Sequence, residues 1–236
     1  MLQQQRNMTA DLESGFVDQS RSGPRPVARS ALSKPYSPAP PPATIDLFLD
    51  SNEAPIPCID VAAIALELGP DAARRYQSLA ALERRIAERI GVDPSQVLVT
   101  AGGDQAIDLA CRAYLEPGSE LILPSPSFEM IAKYARLAGA EVCAPRWDAG
   151  AFPLDAVIGS ISPRAAMFGV VSPNNPTGGV ATADDLRRLS DAAPGALLLV
   201  DLAYTEFADL DLTPVAVGLP NAVAIRTFSK AFGLAG

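Results

Sequence analysis

Residues 165–201 read AAMFGVVSPNNPTGGVATADDLRRLSDAAPGALLLVD, and this stretch decides the fold. It begins with the apolar run AAMFGVV (165–171) and closes with a second one, ALLLV (196–200). Between them, ADDLRRLSDAA (183–193) has the spacing of an amphipathic helix. Apolar runs without alternation are typical of strands buried on both faces, and strands joined through a helix lie parallel in one sheet. The stretch therefore predicts a strand–helix–strand unit.

The same alternation of strands and helices extends outward from this unit. Three more strands are predicted at VLVT (97–100), ELIL (120–123) and AVAIRTF (222–228). Helices are predicted over 79–90, closed by Gly91, over 104–115, and through Ile131 and Leu137. We therefore expect an α/β fold with a mostly parallel sheet and flanking helices. Ligands of such sheets sit at the carboxyl ends of the strands.

Composition restricts the classes of function. The 236 residues are 48% hydrophobic and contain no run of eighteen apolar residues, so we expect a globular chain without a membrane span. The net charge of −8 argues against nucleic acid or an anionic membrane as partner, because both require a basic face. A small anionic ligand held by backbone N–H groups at a helix start is still compatible with this charge.

Histidine is absent, which excludes Ser-His-Asp and Cys-His nucleophile systems and histidine metal sites from this chain. Acid–base chemistry is then left to Lys, Asp, Glu, Tyr or a cofactor. The three cysteines have neither metal nor redox spacing, and we expect a cytoplasmic protein with no metal site.

Residues 1–43 differ from the rest, because they hold seven of the 22 prolines and little apolar periodicity. We expect a flexible Pro-rich tail or arm there, with one large domain over 44–236. The acidic residues of this tail argue against a transit peptide, and no apolar region follows the start as in a secretory signal.

Polar residues follow four of the predicted strands. Gly103 and Asp104 come after the first; they are typical of a phosphate cradle, or of an ordinary helix start capped by Asp104. Ser172-Pro173-Asn174-Asn175-Pro176-Thr177-Gly178 is a turn that is more specific than turn formation requires. Asp201 is either a helix cap or the counter-ion of a buried cation. Lys230, between apolar residues and hydroxyls, has the surroundings of an amine that forms a Schiff base, although a lone lysine is usually a solvated surface group.

The polar residues that follow the predicted strands all lie in motifs of one protein family. From about residue 44 the chain resembles fold-type I pyridoxal-phosphate (PLP) aminotransferases of class I/II, and among them the histidinol-phosphate aminotransferases most closely. The matching stretches are LDSNEAP (49–55), RRYQ (74–77), VLVTAGGDQAIDL (97–109), PSPSF (124–128), SPNNPTGG (172–179), VDLAY (200–204) and RTFSKAFGLAG (226–236). The most specific are SPNNPTG and the lysine motif.

The resemblance implies the roles of the residues around the cofactor ring. Lys230 is implied to bind PLP covalently and to move the substrate's Cα proton, and Asp201 to pair with the protonated pyridine nitrogen. Tyr204 and Asn175 are implied to contact the phenolic oxygen, and Phe128 to stack on the ring. The peptide bond between Asn175 and Pro176 is expected to be cis.

The resemblance also implies how the phosphate and the substrate are bound. The phosphate is implied to lie between the helix start at Gly103 and Asp104 and the hydroxyls of Thr227 and Ser229. Tyr76 is implied to reach the phosphate of a neighbouring subunit, so we expect a homodimer with shared sites. Asn52 lies in the arm segment that lines the substrate site in the family.

Two departures from the family pattern are mild. Leu202 replaces an acidic residue in the Asp-Glu-Ala-Tyr motif, and Gln105 replaces an acidic residue after Asp104. A larger one is that the sequence stops six residues after Lys230. The family's phosphate-binding arginine, small C-terminal domain and substrate-binding arginine are therefore expected to be absent. We expect the chain as given to bind PLP weakly and not to transaminate.

The sequence favours transfer of an amino group from an amino acid or a histidinol-phosphate-like amine to 2-oxoglutarate, in histidine biosynthesis. Within the family, a threonine-phosphate decarboxylase shares this framework and is an alternative. An inactive fragment of such an enzyme is another. A regulatory aminotransferase-like domain fused to a DNA-binding module is a further alternative. The sequence argues against it, because it lacks the basic segment that DNA binding requires.

Overall fold

The computed structural model describes residues 51–54, 59–69, 71–72 and 74–235. The described helices, in chain order, are α1 (Val61–Glu67), α2 (Ala80–Ile90), α3 (Gly102–Tyr114), α4 (Glu129–Ala138), α5 (Leu154–Gly159), α6 (Ala183–Ala192) and α7 (Thr213–Val217). The strands are β1 (Glu120–Ile122), β2 (Glu141–Cys143), β3 (Ala165–Val171), β4 (Leu197–Asp201) and β5 (Ala222–Ile225). Short 3₁₀ helices cover Pro94–Gln96 and Thr205–Phe207. The predicted boundary between residues 43 and 44 lies outside the described residues and stays a prediction.

The five strands form one parallel sheet in the order β2-β1-β3-β4-β5. This confirms the predicted α/β class with its parallel sheet and flanking helices. From β1 the chain moves outward to β2 on one side, and from β3 it moves outward through β4 to β5 on the other. The order therefore reverses between β1 and β3, and a reversal of this kind opens a crevice at the carboxyl ends of the strands.

Side chains alternate between the two faces of the central strands, as the pleat of a strand requires. In β4, Leu198 and Val200 belong to an apolar cluster with α5, α6 and α7, whereas Leu197 and Leu199 pack with α3 and α4. All four are buried. Both faces of these strands are covered by helices, which is why residues 197–200 of β4 are all apolar.

Helix ends follow local signals in the sequence. Gly91 and Gly139 end α2 and α4 in left-handed conformations, at φ 77° and 98°, which glycine adopts without a steric penalty. Thr182 begins α6 with a capping box, in which its hydroxyl accepts from the N–H of Asp185 and the Asp185 carboxylate accepts from the N–H of Thr182.

One predicted strand is wrong. Residues 97–100 form no strand and pair with no described strand, and Leu98 is 72% exposed. The backbone N–H of Val99 donates to the Glu83 carboxylate rather than to a neighbouring strand. The apolar pattern VLVT fits a strand, yet a strand also needs a partner backbone, and the described chain provides none beside it.

The last predicted strand is shorter than its apolar run suggests. β5 covers only Ala222–Ile225, and residues 226–228 leave the sheet. The prediction also missed β2, a three-residue edge strand, and the short helices α1, α5 and α7. Segments this short carry too few repeats for periodicity to reveal them.

Gly179 is a position where the backbone passes close to a rigid aromatic ring. A Cβ there would lie 2.7 Å from Cζ2 of Trp147 and 3.1 Å from the carbonyl oxygen of Gly150. Trp147 is buried and packs edge-on against Phe152 with ring centroids 5.3 Å apart, so the indole has little room to move. The glycine therefore keeps the loop after β3 against the sheet.

We predict that Gly179→Ala lowers the free energy of unfolding by about 1–3 kcal/mol, because the added methyl overpacks this contact. Urea denaturation of the complete protein measures it. Gly195→Ala is the matched control, since a Cβ at Gly195 meets nothing within 4 Å, and its effect should stay within about 0.5 kcal/mol. Equal effects of the two substitutions would contradict the close approach.

Candidate active site

Asp201 lies at the carboxyl end of β4, where the alternation of the strand points it toward the layer of α3 and α4. Residues 197 and 199 face that layer, so residue 201 follows them. Its in-register neighbour on β5 is Ile225, and a Cβ on Gly103 would be 3.7 Å from that side chain. The start of α3 therefore lies against the end of β5, next to Asp201.

The Asp201 carboxylate is only 4% exposed. Its Oδ1 accepts a hydrogen bond from the backbone N–H of Ala203 at 3.0 Å, and no described residue donates to Oδ2. Burial raises the pKa of Asp201 to about 6; the N–H of Ala203 and the ammonium of Lys230 oppose this rise, and the charge of Asp104 adds to it. A buried carboxylate with one open oxygen is suited to accept a hydrogen bond from a cation.

Lys230 follows β5 in a compact turn. The N–H of Gly233 donates to the carbonyl of Lys230 at 3.1 Å, and the N–H of Leu234 donates to the carbonyl of Phe228 at 3.0 Å. The ammonium of Lys230 donates to the carbonyl oxygen of Ser51 at 2.8 Å, and it lies 5.8 Å from the ring centroid of Tyr204. The turn thus directs the amine back toward the end of β4.

The start of α3 supplies backbone N–H groups beside these side chains. Gly102 turns the chain at φ 75°, and the Gln105 side chain accepts from the N–H of Ala101 at 2.6 Å. Asp104 lies in the first turn of α3, and Ala101 occupies the capping position, so the reading of Asp104 as the helix cap is wrong. Burial raises the pKa of Asp104, and the charge of Lys230 counteracts that rise.

The loop after β3 is organised by Asn174, not by its neighbour. The Asn174 side chain is buried; it accepts from the Ser127 hydroxyl at 2.8 Å and donates to the carbonyl of Pro126 at 2.9 Å and to the hydroxyl of Thr177 at 2.8 Å. These bonds join the loops after β1 and β3 across the crevice where the strand order reverses. Asn175 is half-buried and makes no hydrogen bond with any described residue.

The structure brings some of the predicted residues together and leaves others apart. Lys230, Asp201, Asp104 and Tyr204 interact through charge or ring contacts, and Gly103 lies beside them. The hydroxyls of Thr227 and Ser229 hydrogen bond to each other at 3.0 Å. Phe128 precedes α4 and packs on the cluster beneath it. The Tyr76 side chain is fully exposed and contacts none of them.

Sequence reasoning missed two contributors and anticipated one local conformation. It gave no role to the Ser51 carbonyl or to Asn174, since a carbonyl has no signature and the pair Asn174-Asn175 does not reveal which asparagine is buried. The expected cis peptide between Asn175 and Pro176 is confirmed, and the bonds before Pro126 and Pro173 are also cis. No described helix is both long and apolar enough to cross a membrane.

Comparison with known proteins identifies the family. Residues 47–236 match the family described as aminotransferase class I and II. The chain belongs to this family. Its members depend on PLP, as the lysine motif predicted.

Individual relatives agree with this assignment. The chain is 36% identical over 192 residues to the histidinol-phosphate aminotransferase of Paracoccus denitrificans (strain Pd 1222), covering 80% of this chain and 52% of the relative. The crystal structure of a putative histidinol-phosphate aminotransferase from Erwinia carotovora atroseptica is similar with a TM-score of 0.70 and 27% identity, over 78% of this chain and 57% of that one. The L-threonine-O-3-phosphate decarboxylase of Porphyromonas gingivalis is similar with a TM-score of 0.58 and 26% identity, over 68% of this chain and 48% of that one. The chain spans about half the length of the curated relatives it matches.

The adjacent asparagines allow a paired test of structure against site. We predict that Asn174→Ala destabilises the protein by about 1–3 kcal/mol, because it leaves the buried partners of the amide unsatisfied. Asn175→Ala should leave stability unchanged and instead weaken PLP binding several-fold. Urea denaturation and a PLP titration followed by absorbance measure both variants. If Asn175→Ala were the more destabilising of the two, the assignment of the buried amide would be wrong.

Asp201 should make stability depend on pH. Its folded-state pKa of about 6 lies above the ordinary value of 3.8, so Asp201 ionises at a lower pH in the unfolded chain than in the folded one. Wild-type stability therefore falls as the pH rises between those two values. We predict that Asp201→Asn, which cannot ionise, stabilises the cofactor-free protein relative to wild type at pH 7.5 but not at pH 4. The full difference is at most about 3 kcal/mol.

Thermal unfolding at the two pH values measures this difference. Asp191→Asn is the control, because Asp191 is exposed on α6. Its substitution should change the unfolding temperature by the same amount at both pH values. A gap between Asp201→Asn and wild type that stays constant from pH 4 to 7.5 would show that the Asp201 carboxyl is not destabilised by burial.

Proposed function

We propose that the complete protein is a PLP-dependent aminotransferase of the cytoplasm, and that it moves an amino group between an amino acid or a histidinol-phosphate-like amine and 2-oxoglutarate. The observation that carries this proposal is a buried carboxylate with one open oxygen, Asp201, at the end of β4, within electrostatic range of the amine of Lys230, which follows the adjacent strand β5. The names of the relatives support the amine substrate.

The residues present fit PLP. Asp201 offers Oδ2 to a protonated ring nitrogen, and the resulting ion pair would lower the raised pKa of this carboxyl and keep both groups charged. When bound, the cofactor supplies an electron sink for the negative charge that develops at the substrate's Cα. Asp201 maintains that capacity by holding the nitrogen's proton.

Lys230 has the position required of the reactive amine. Its nitrogen would hold the cofactor covalently through the cofactor's aldehyde group, and as a free amine it would be the base that moves the proton of the substrate's Cα. The ring of Tyr204 lies 5.8 Å from this nitrogen, and we assign its hydroxyl to the same site. We therefore assign both residues to the cofactor that Asp201 would hold.

The phosphate of the cofactor fits the start of α3. The first N–H groups of a helix have no partner within it, and the macrodipole favours an anion there. Gly103 and Asp104 provide such N–H groups, and the hydroxyls of Thr227 and Ser229 are the additional donors we assign to it. Such a site explains how a chain with a net charge of −8 can bind a dianion.

A second copy of the chain is part of the proposal. Tyr76 is fully exposed, and its side chain is free to reach the phosphate bound by a partner subunit. Two sites shared across a homodimer follow from this assignment. The structural likeness to an L-threonine-O-3-phosphate decarboxylase makes decarboxylation the second candidate, since that enzyme shares this framework.

Trapping of the cofactor tests the proposal. Residues 1–236 contain three lysines, Lys34, Lys133 and Lys230, so a label within this stretch is easily assigned to one of them. We predict that PLP followed by borohydride labels Lys230 of the complete protein at about one equivalent. Lys133, which pairs with Glu129 at 2.8 Å, should stay unlabelled and serves as internal control. Peptide mass spectrometry measures the label.

Lys230→Arg should abolish both the label and activity, whereas Lys133→Arg should preserve them. Glutamate formation from 2-oxoglutarate with histidinol phosphate then reports transamination. Release of CO2 from threonine phosphate would favour the decarboxylase instead. Labelling at Lys133 or Lys34 in place of Lys230 would refute the assigned site.

A further inference from the structure

Residues Ser51 and Asn52 lie over the reactive side chains although they are far from them in sequence. The Asn52 amide nitrogen donates to the Tyr204 hydroxyl oxygen at 3.0 Å, across 152 positions. The Ser51 carbonyl accepts from Lys230 at 2.8 Å, across 179 positions. Two adjacent residues thus bind the two side chains that face the end of β4.

Asn52 has an unusual backbone conformation. Its φ of 52° is the only positive value of a non-glycine residue in the part of the chain that the structure describes. Glycine adopts this region freely, and asparagine is among the few other residues that visit it. Glycine would satisfy the backbone but would leave Tyr204 without its donor. Asparagine satisfies both requirements, so the backbone and the side chain together explain the residue found here.

We propose that Asn52 is a positioning residue that orients the Tyr204 hydroxyl as a hydrogen-bond donor to the cofactor. The proposal rests on the proposed function, in which Tyr204 contacts the phenolic oxygen of PLP. A phenol has one proton and can also accept. Because its oxygen accepts from Asn52, the hydroxyl proton is directed elsewhere, and accepting one bond strengthens the donation of another.

The hydrogen bond between Asn52 and Tyr204 is compatible with a bound cofactor, whereas the bond between Ser51 and Lys230 depends on a free ammonium. Lys230 donates to Ser51 as a free ammonium, and a lysine that held the cofactor covalently would have at most one N–H left to donate. The amide of Asn52 donates to a hydroxyl that is unchanged by this attachment. The bond between Asn52 and Tyr204 is therefore the one that keeps this segment over the site when the cofactor is bound.

The visible absorption of the bound cofactor tests the proposal without an activity assay. A donor to the phenolic oxygen favours its ionised form, so a poorly aimed donor raises the midpoint pH of the absorption change. In the complete protein with PLP, Asn52→Gly keeps the backbone conformation and removes the amide. We expect it to raise the midpoint by about 0.5–1 unit, the equivalent of about one hydrogen bond.

Asn52→Asp should raise the midpoint further, because a carboxylate attracts the Tyr204 proton away from the cofactor. Glu53→Asp is the control: it changes the neighbouring exposed side chain at constant charge and should leave the midpoint unchanged. In a Tyr204→Phe background, Asn52→Gly should add no further shift, since residues that act through one another are not additive.

Three results would overturn the proposal. In the first, Asn52→Gly keeps the wild-type midpoint while PLP is bound. In the second, its shift persists in the Tyr204→Phe background. In the third, only the KM for the amino donor rises, which would make Asn52 a substrate contact. A wild-type protein that shows no cofactor band at all would refute the proposed function together with this inference, and the two failures are thereby distinguishable.

Discussion

The burial of one carboxylate at the end of an apolar strand is the constraint on which the site depends. Asp201 continues β4 directly from Val200, and it shares the buried environment of that strand. Its single backbone hydrogen bond does not offset the loss of hydration, and its pKa rises to about 6 as a result. Such a group is kept in a fold only where a cation or a strong hydrogen-bond donor offsets the cost of its burial. Asp201 is therefore more informative about the ligand than Lys230 is.

The parallel sheet places other functional segments next to the buried Asp201 carboxylate. Parallel pairing brings the ends of β3, β4 and β5 to one edge, and the main chain joins them there: Ser172 donates to the carbonyl of Asp201, and Leu202 donates to the carbonyl of Ile225. The loop of Asn174 and the turn of Lys230 therefore start from fixed points on either side of β4. Because Asp201 pairs in register with Val171 on one side and with Ile225 on the other, the sheet fixes the spacing of these starting points.

The sequence was sufficient to predict the strands and helices that are marked by long apolar runs or long apolar periodicity. AAMFGVV is a strand over the predicted residues, and the helices α2 and α6 lie within a residue or so of their predicted bounds. VLVT was misjudged because a strand depends on a neighbour that no window of four residues contains. The contacts of Ser51 and Asn52 were beyond prediction for the same reason, since they join segments more than 150 positions apart. The specific motifs located the site, but they could not reveal which of two adjacent asparagines is buried.

Charge balance limits how the start of α3 can serve the proposed phosphate site. Asp104 lies in the first turn, where the helix dipole favours a negative group, and a phosphate would compete with its carboxylate for the same positive end. Burial already raises the pKa of this carboxyl, and a second anion nearby would raise it further. A carboxylate cannot donate to phosphate oxygens, whereas a backbone N–H can. Asp104 is therefore suited to the phosphate through its main chain, while the charge of Lys230 opposes the rise in the pKa of its carboxyl.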